Sequence, residues 1–268
     1  MKTRGYNIET EGIGKQLETM LADFQPISLD DLGDGLLRKR FDIKFVVPQN
    51  TLLHLVPALA NDFNILNIDG RRQFHYSTQY FDTYDYKFYY KHHNGVQNRK
   101  KIRYRTYLDS GISFLEIKHK INGSFIKKTR IPIPIIDKEF CDESVDFIQT
   151  GVGLSAGALV PKLMTKFQRI TLQHKSKDEK ITIDRNVYFK NTVKDYSLSS
   201  LAVIEVKQSR KDSTSGIIKL LRETGNTHPI SFSKYCIGLA ITDEKVKYNN
   251  FKRTLLYLNK ISGELNEL

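Results

Sequence analysis

The chain has 268 residues, enough for one large domain or two small ones, and it carries 42 Lys and Arg against 30 Asp and Glu. The formal charge of +12 and the pI near 9.5 predict an anionic partner: nucleic acid, a membrane surface or phosphate compounds. No apolar run approaches the ~18 residues that a membrane-spanning helix needs, which argues against an integral membrane protein and predicts a soluble one.

The first part of the chain predicts one strand between two helices. Residues 15–24 and 50–61 are typical of helices, the second with Asn50 as its N-cap and a kink at Pro57. Between them, residues 38–47 alternate as a half-buried strand does. One face of that strand carries Arg38, Arg40, Asp42 and Lys44, and the other carries Phe41, Ile43 and Phe45.

An aromatic stretch follows at residues 73–90. Its Tyr, Phe and Thr residues favour strands, and Asp82 and Thr83 indicate a turn between two of them. The neighbouring His92 and His93 fall in a predicted loop. Adjacent histidines do not share a face, and no third ligand is spaced nearby, so we expect no metal site there.

The central stretch, residues 100–120, predicts two strands joined by a turn at residues 108–111. Successive side chains of a strand point to opposite faces. The charged face of this hairpin therefore carries Arg103, Arg105, Glu116, Lys118 and Lys120, and its apolar face carries Ile102, Tyr104, Leu115 and Ile117. For a single hairpin, a basic face in contact with water is the simplest interpretation.

The next turn sets the register of the following strand. Asn122 and Gly123 predict a two-residue hairpin turn. Pairing outward from that turn places Lys118 opposite Lys127. In this register Lys127 shares the charged face, whereas Lys128 points away from it.

Three more strands are predicted in the second half of the chain. They are residues 160–173, with Phe167 and Arg169 on one face, residues 181–189, and residues 201–208, with Val203, Glu205 and Lys207 on one face. In the second of these strands, Asp184 and Arg185 are interpreted as a simple surface pair.

Helices are predicted around these strands. One spans about residues 214–224 and ends at Gly225, and another runs from residue 231 to about 243 with Ser233 as its N-cap. The tail, residues 244–268, is expected to form a helix that packs on the body. Its apolar stripe consists of Leu255, Leu256, Leu258 and Ile261.

Charged residues two positions apart recur in four of the predicted strands, with few acids to balance the bases. The pairs are Asp42 and Lys44, Arg103 and Arg105, Glu116 and Lys118, and Glu205 and Lys207. A buried charge is unfavourable unless it is paired, so these faces either meet water or surround a wet, charged ligand. A closed sheet with a basic inner face would form a tunnel for a chain of phosphates, and its few acids would hold a divalent metal.

Seven short motifs, in their order and spacing, resemble a known family. They are Arg40, Asp42 and Lys44 in R-x-D-x-K, residues 80–83 (YFDT), 101–105 (KIRYR), 114–118 (FLEIK), Lys128 and Arg130 in K-x-R, residues 203–207 (VIEVK) and 233–235 (SKY). Together they resemble the VTC domain, the polyphosphate polymerase domain of the triphosphate tunnel metalloenzyme superfamily. The resemblance implies an α+β fold in which helices pack outside an antiparallel eight-stranded β-barrel.

The resemblance also implies an enzyme that transfers the γ-phosphate of ATP to a growing polyphosphate chain, with Mn²⁺ or Mg²⁺ as cofactor. Matched by motif, the catalytic bases are Arg103, Arg105, Lys118 and Arg169, the phosphate-binding bases are Arg40, Lys44, Lys128, Lys207 and Lys234, and the metal ligands are Glu205 and, second, Glu116. The hairpin register adds Lys127 to the phosphate-binding set.

Other functions fit the same pattern. The tunnel could use water as the acceptor, as a tripolyphosphatase or nucleoside triphosphatase does. The domain could also bind polyphosphate or RNA without catalysis, or the sheet could present a solvated basic face. We expect ATP and inorganic polyphosphate as partners, and no DNA.

The chain is expected to divide into three segments. Residues 1–27 are expected to form an N-terminal extension, residues 28–243 the tunnel domain, and residues 244–268 a C-terminal tail. Cys141 and Cys236 lie too far apart for a disulfide framework or a metal motif, which favours a cytoplasmic protein.

Overall fold

The structure, a computed structural model, describes residues 8–32, 41–121, 125–134, 140–212, 215–224 and 227–263. Within these ranges the strands are β1 (Gln25–Ile27), β2 (Phe41–Pro48), β3 (Phe63–Leu66), β4 (Phe74–Thr83), β5 (Arg99–Tyr107), β6 (Ile112–Ile121), β7 (Phe125–Ile133), β8 (Leu159–His174), β9 (Glu179–Lys190) and β10 (Asp195–Gln208). The helices are α1 (Ile8–Ala22), α2 (Leu52–Leu59), α3 (Lys87–His93), α4 (Asp142–Val152), α5 (Gly216–Glu223), α6 (Lys234–Thr242) and α7 (Lys252–Ser262).

Eight strands form one continuous antiparallel path in the order β2-β10-β9-β8-β4-β5-β6-β7. Strand β3 pairs with the end of β8, and β1 pairs in parallel with β3. The predicted α+β class and eight-stranded antiparallel arrangement are therefore confirmed.

The two outer strands of this path approach each other without pairing. The charge pattern predicts a closed sheet. Among the described residues, however, β2 and β7 share no backbone hydrogen-bond ladder, so hydrogen bonds do not close the sheet. The sheet is nevertheless strongly curved. The distance between Asp42 Oδ2 on β2 and Lys118 Nζ on β6 is 3.9 Å, although these two strands lie near opposite ends of the strand order. We call the face that carries these two residues the inner face.

Apolar residues on the outer face pack under the helices. Leu17 of α1, Leu55 of α2 and Ile218 of α5 share one core cluster with outer-face residues of β2, β8, β9 and β10. Ile148 of α4 packs with Ile117 of β6 in a second cluster. The period-2 alternation thus buries the apolar face of the strands under helices and directs their charged face inward.

Helix α6 packs against the inner face, beside the charged residues. Almost the whole helix is buried, and Tyr235 at its start stacks on Tyr80 of β4 with ring centroids 5.1 Å apart. Gly238 permits a close approach to β8 and β9, because an added Cβ would lie 2.6 Å from atoms of both Leu163 and Phe189. The predicted N-cap is confirmed, since the Ser233 hydroxyl accepts a hydrogen bond from the backbone amide of Cys236 at 3.3 Å.

The aromatic stretch is only partly a strand, which corrects the sequence prediction. Residues 74–83 form β4, but residues 87–93 form helix α3, so His92 and His93 end a helix rather than lie in a loop. Asp82 explains the change. Its two carboxylate oxygens accept hydrogen bonds from the backbone amides of Phe88 and Tyr89, both at 2.8 Å, and so satisfy two free donors of the first helical turn.

The start of α2 also differs from the prediction. The helix begins at Leu52, after a short 3₁₀ turn at residues 49–51, and its N-cap position is Thr51 without a side-chain hydrogen bond. Asn50 is therefore not the cap. Pro57 does lie inside the helix, as predicted.

The register between β6 and β7 is shifted by one residue from the predicted one. Lys118 pairs with Lys128, and His119 pairs with Lys127. The physical reason is loop length: Ile121 pairs with Phe125, so three residues rather than two separate the strands. The predicted Asn122–Gly123 turn itself lies outside the described residues.

The C-terminal segment forms helix α7, as expected. Leu255 and Leu258 are buried, whereas Leu256 is 53% exposed and does not belong to the apolar stripe. Tyr257 donates a hydrogen bond to the carbonyl of Val46 on β2 at 3.0 Å, which ties the helix to the sheet. The division into three segments stays a prediction, and Gly225 lies outside the described residues.

Within the described ranges, no helix is both long and apolar enough to cross a membrane.

Candidate active site

Cationic side chains from six strands and one helix meet on the inner face. The charged cluster consists of nine cations, Lys44, Lys101, Arg103, Arg105, Lys118, Lys128, Arg169, Lys207 and Lys234, and four carboxylates, Asp42, Glu116, Asp184 and Glu205. The strand registers bring them together, since Lys44 pairs with Glu205, Arg103 with Glu116 and Arg169 with Asp184. Residues from distant strands of the path are close enough to interact electrostatically, because Glu205 on β10 and Lys118 on β6 shift each other's pKa.

One predicted residue does not join this cluster, and another lies outside the described residues. Lys127 is opposite His119 and exposed, so its predicted inward position is wrong, while Lys128 takes that place. Arg40 lies outside the described residues. The other predicted bases and both predicted acids lie in the cluster.

Glu116 is held between two strands by cations. Its Oε2 accepts hydrogen bonds from Arg103, with Nε at 2.7 Å and Nη2 at 2.6 Å, and its Oε1 forms an ion pair with Lys128. The side chain is 1% exposed. Burial alone would raise the pKa of Glu116, but Arg103, Arg105 and Lys128 outweigh it and hold the pKa well below its ordinary value. Glu116 is therefore a fixed anion that orients Arg103.

Asp184 plays the same part on the other side of the cluster. It accepts hydrogen bonds from Arg169, with Nε to Oδ1 at 2.5 Å and Nη2 to Oδ2 at 2.7 Å, and it forms an ion pair with Lys234 at the start of α6. Burial opposes ionisation, yet Arg169 and Lys234 lower the pKa of Asp184. The interpretation of Asp184 and Arg185 as a surface pair is wrong, since both are buried and they point to opposite faces of β9.

Glu205 is held less tightly than Glu116 and Asp184. Its oxygens lie 3.6 Å from Lys44 Nζ and 3.4 Å from Lys207 Nζ, longer than the 2.7–2.9 Å typical of charge-assisted hydrogen bonds. Burial raises its pKa, but Lys207, Lys44 and Lys118 dominate and hold the pKa well below the ordinary value. The Glu205 carboxylate is thus ionised, and its ion pairs are longer than the contacts of Glu116 and Asp184.

Arg105 lacks the carboxylate partner that its neighbours have. It is 7% exposed, and its Nε has no hydrogen-bond partner among the described residues. No described carboxylate lies within ion-pair distance of it, and its nearest aromatic contact is the Tyr76 ring, 5.6 Å from the guanidinium carbon. Burial, and then repulsion from Arg103, lowers the pKa of Arg105. A buried, unpaired guanidinium is unfavourable unless an anion joins it.

Three lysines form a row across neighbouring strands. Lys118 pairs directly with Lys101 on β5 and with Lys128 on β7. Burial is the largest influence on all three and lowers the pKa of Lys118 to about 7 and those of Lys101 and Lys128 to about 8. Like charges opposite each other destabilise a sheet, so this row also favours a bound anion.

Lys101 and Lys118 of this row line a cavity of about 230 Å³ between β2, β5, β6 and the segment before α6. That segment is fixed by two lysines: Lys44 Nζ donates to the carbonyl of Phe232 at 2.9 Å, and Lys101 Nζ donates to Ser233 Oγ at 2.7 Å. The N-terminus of α6 therefore faces the charged cluster, and a helix N-terminus favours anions.

Sequence reasoning missed three contributors to this site. Lys101 lies in the strand of Arg103 and Arg105, and its position two residues before Arg103 is the signal that identifies it. Asp184 has no such signal, because the sequence predicts no charged face for its strand. Tyr80 accepts a hydrogen bond from Arg103 Nη1 at 3.3 Å. Tyr80 belongs to the YFDT motif, but its contact with Arg103 could not be predicted because it depends on the register between β4 and β5.

Residues of the described ranges contain no group of three or more His, Cys, Asp or Glu side chains arranged to hold a metal. A divalent cation in this cluster would therefore bind through one or two carboxylates and complete its shell with phosphate oxygens and water, as Mg²⁺ commonly does.

Three solved structures illustrate the likeness to known proteins. A presumed adenylate cyclase from Bacillus halodurans shares 12% identity at a TM-score of 0.49, over 73% of this chain and 94% of that one. A presumed adenylyl cyclase from Hippeastrum with a dominant triphosphatase activity shares 14% identity at a TM-score of 0.48, over 75% and 95%. A presumed adenylate cyclase from Vibrio parahaemolyticus shares 13% identity at a TM-score of 0.44, over 76% and 98%. These scores carry no functional argument.

No curated protein matches the sequence significantly. The family model of the VTC domain does match, over residues 39–242, which include every motif from Asp42 to the start of α6. This match spans well over half of the 268 residues. The chain belongs to the VTC domain family.

Proposed function

We propose that the protein is a metal-dependent polyphosphate polymerase that transfers the γ-phosphate of ATP to a growing polyphosphate chain. The observation that carries the proposal is Arg105, a guanidinium 7% exposed with no described carboxylate within ion-pair distance. A phosphate group would supply the missing negative charge and match the planar fork of the side chain. Membership of the VTC domain family supports phosphate chains as the ligand class.

The balance of charge supports a polyanion rather than a single phosphate. Nine cations of the charged cluster face four carboxylates, and three of the lysines stand directly opposite one another. Phosphoryl transfer depends mainly on positioning and on stabilising charge, which is what such a cluster provides. In this proposal Arg103, Arg105, Lys118 and Arg169 contact the transferred group, and Lys44, Lys128, Lys207 and Lys234 bind the flanking phosphates.

The state of the carboxylates favours a phosphate acceptor over water. A hydrolase gains from a general base whose pKa lies near the working pH. The pKa values of Glu116, Asp184 and Glu205 are all held low, and each carboxylate lies beside two cations. A phosphate chain end is already ionised and needs no such base, which supports a phosphate acceptor in this proposal.

The family implies a divalent cation, and the residues present fit one. Glu205 is a better ligand than Glu116 or Asp184 because its ion pairs with Lys44 and Lys207, at 3.6 and 3.4 Å, are longer than the contacts that hold those two acids. A bound Mn²⁺ or Mg²⁺ would neutralise phosphate charge there. Glu116 as a second ligand stays a prediction, and its bonds to Arg103 and Lys128 favour a positioning role instead.

Incubation with ATP and Mn²⁺, followed by separation of the products on a gel, tests the proposal. The wild type is expected to make long phosphate chains, and Arg105→Ala to make far fewer. Arg253→Ala, at an exposed position on α7, is the matched control and should behave as the wild type. Free phosphate as the sole product would identify a hydrolase, and no reaction at all would leave only a binding module.

A further inference from the structure

A second cation-rich cavity lies on the other face of β8 and β9. It has a volume of about 770 Å³ and is bounded by α1, by residues 70–75 and by residues of both strands. Its lining includes Lys15, Arg71 and Arg185, none of which belongs to the charged cluster. The volume falls within the range of small-molecule sites.

Arg185 forms a buried, charged part of the cavity wall. It is 2% exposed, and its guanidinium donates from Nε to Gln49 Oε1 at 2.8 Å and from Nη1 to Gln73 Oε1 at 3.0 Å. Both partners are neutral, and no carboxylate of the described chain forms an ion pair with Arg185. Burial lowers its pKa to about 10, while Glu18 on α1 raises the pKa from a greater distance.

The third nitrogen of this guanidinium is directed toward α1. A Cβ added at Gly14 would lie 3.7 Å from Arg185 Nη2, and Gly14 itself lines the cavity. The missing side chain at Gly14 therefore leaves space in front of the guanidinium. Of the two acids in the lining, Glu18 is exposed and Asp109 is already engaged.

The remaining wall is built from side chains that hold one another in place. Asp109 Oδ1 lies 3.1 Å from both Arg71 Nη1 and His75 Nδ1, and its Oδ2 accepts the His75 amide at 2.6 Å. Gln168 contacts His75 and Asn186, both at 3.1 Å. Since Asp109 is neutralised in this way, Lys15 and Arg185 remain as cations without an ion-pair partner among the described residues.

Helix α1 is fixed in position against this wall. Arg72 donates from Nη1 to the carbonyl oxygens of Leu21 and Phe24, at and just beyond the C-terminal end of the helix. Leu17 and Leu21 of the same helix are buried in the core. The cavity is therefore a formed site between anchored elements.

We propose that this cavity is a second binding site of the protein, which takes a small phosphorylated anion. The Nη2 group of the buried Arg185 supplies a charged donor to phosphate oxygens, and Lys15 supplies unpaired charge at the rim beside the Arg71–Asp109 ion pair. Because Asp184 and Arg185 are adjacent on β9, the second site and the charged cluster lie on opposite faces of one strand.

Two variants remove the site by different means. Gly14→Leu places a side chain in front of Arg185 and replaces glycine by a better helix former within α1, so it should not weaken the fold. Lys15→Glu/Arg71→Glu reverses the charge at the rim. Lys252→Glu/Arg253→Glu makes the same change of charge at exposed positions on α7 and is the matched control.

Titration with inorganic pyrophosphate, followed by calorimetry, tests the proposal. The wild type and the control should bind two pyrophosphates per chain, whereas Gly14→Leu and the rim variant should each bind one. Arg105→Met should also bind one pyrophosphate, because it loses the site in the charged cluster and keeps the site in the cavity. The two sites are thus measured separately. Binding by Gly14→Leu and by the rim variant at the wild-type stoichiometry would overturn the second site, whatever Arg105→Met does.

Discussion

Arg103 and Arg105 lie two residues apart on the same face of β5, yet only Arg103 bonds to a carboxylate. Arg103 and Lys128 both form ion pairs with Glu116. Burial lowers the pKa of Arg103, but the charge of Glu116 raises that pKa by more. Arg105 has no such partner among the described residues, and its pKa is lowered. One guanidinium is thus held by the protein, and its neighbour is left for a ligand.

Arg105→Met separates binding from stability. Replacing an unpaired buried charge by an apolar side chain of similar length should leave the free energy of unfolding unchanged or raise it by about 1 kcal/mol. Affinity for tripolyphosphate should fall at least tenfold, which is about 1.4 kcal/mol. Denaturant unfolding and calorimetry measure the two effects.

Arg103→Met is the matched comparison for that variant. It leaves Glu116 buried with Lys128 alone and should cost about 3 kcal/mol of stability. Equal destabilisation by the two substitutions would show that Arg105 has a structural partner after all.

Asp184→Asn should destabilise the protein in a pH-dependent manner. Arg169 and Lys234 hold the folded pKa of Asp184 below its ordinary value of 3.8, so the carboxylate contributes stability above about pH 4 that is lost as the pH falls further. The variant, which never had this charge, should be about 3 kcal/mol less stable than the wild type at neutral pH. Unfolding curves from neutral pH down to about pH 3 should show the difference shrinking. A difference that stays constant would contradict the role of Asp184.

Glu205→Gln should abolish metal-dependent turnover. Because Lys207, Lys44 and Lys118 hold the pKa of Glu205 well below its ordinary value, loss of its charge should also lower the free energy of unfolding at neutral pH, so turnover is compared below the melting temperature of the variant. The loss of turnover should exceed the ~100-fold that removal of a second-shell partner typically causes. Mn²⁺ binding, measured by electron paramagnetic resonance, should weaken in Glu205→Gln and not in the exposed control Glu223→Gln. Glu116→Gln should lower the affinity for ATP and leave the affinity for Mn²⁺ unchanged. Weaker Mn²⁺ binding at unchanged ATP affinity would instead identify Glu116 as a metal ligand.

Binding of phosphate should draw protons onto Lys118. Burial lowers its folded pKa to about 7, so the free protein loses the Lys118 proton as the pH rises through that range. A bound polyanion raises that pKa, so the protein takes up protons and its affinity weakens as the pH rises through about 7. Calorimetry in buffers of different ionisation enthalpy counts these protons. Lys118→Arg, which stays charged, should take up fewer of them, and an unchanged count would argue against Lys118 as a phosphate contact.

Strand identity could be predicted from the sequence, because alternation of charged and apolar residues is local. Arg103, Glu116 and Glu205 all proved to share the inner face for that reason. The same reasoning failed at residues 87–93, where aromatic residues favour strands but the carboxylate of Asp82 caps a helix. It failed at Lys127 as well, since a one-residue change in loop length reverses the face of every following side chain.

Partners across the sheet could not be predicted from the sequence. Asp184 was taken for a surface residue because its partners, Arg169 on β8 and Lys234 on α6, lie 15 and 50 residues away in sequence. The sequence also does not reveal that Arg105 lacks a carboxylate partner among the described residues, because Arg103 and Arg105 occupy equivalent positions in the alternating pattern. Curvature of the sheet, which brings Asp42 near Lys118, depends on long-range packing and not on a period of two.

The inward guanidinium groups should surround bound phosphate. Nuclear magnetic resonance of the arginine Nε–H groups during titration with tripolyphosphate can show whether they do. The signals of Arg103, Arg105 and Arg169 should shift together and saturate at one concentration, while that of the exposed Arg253 stays in place. Shifts of equal size at Arg253, or none at Arg105, would contradict the claim.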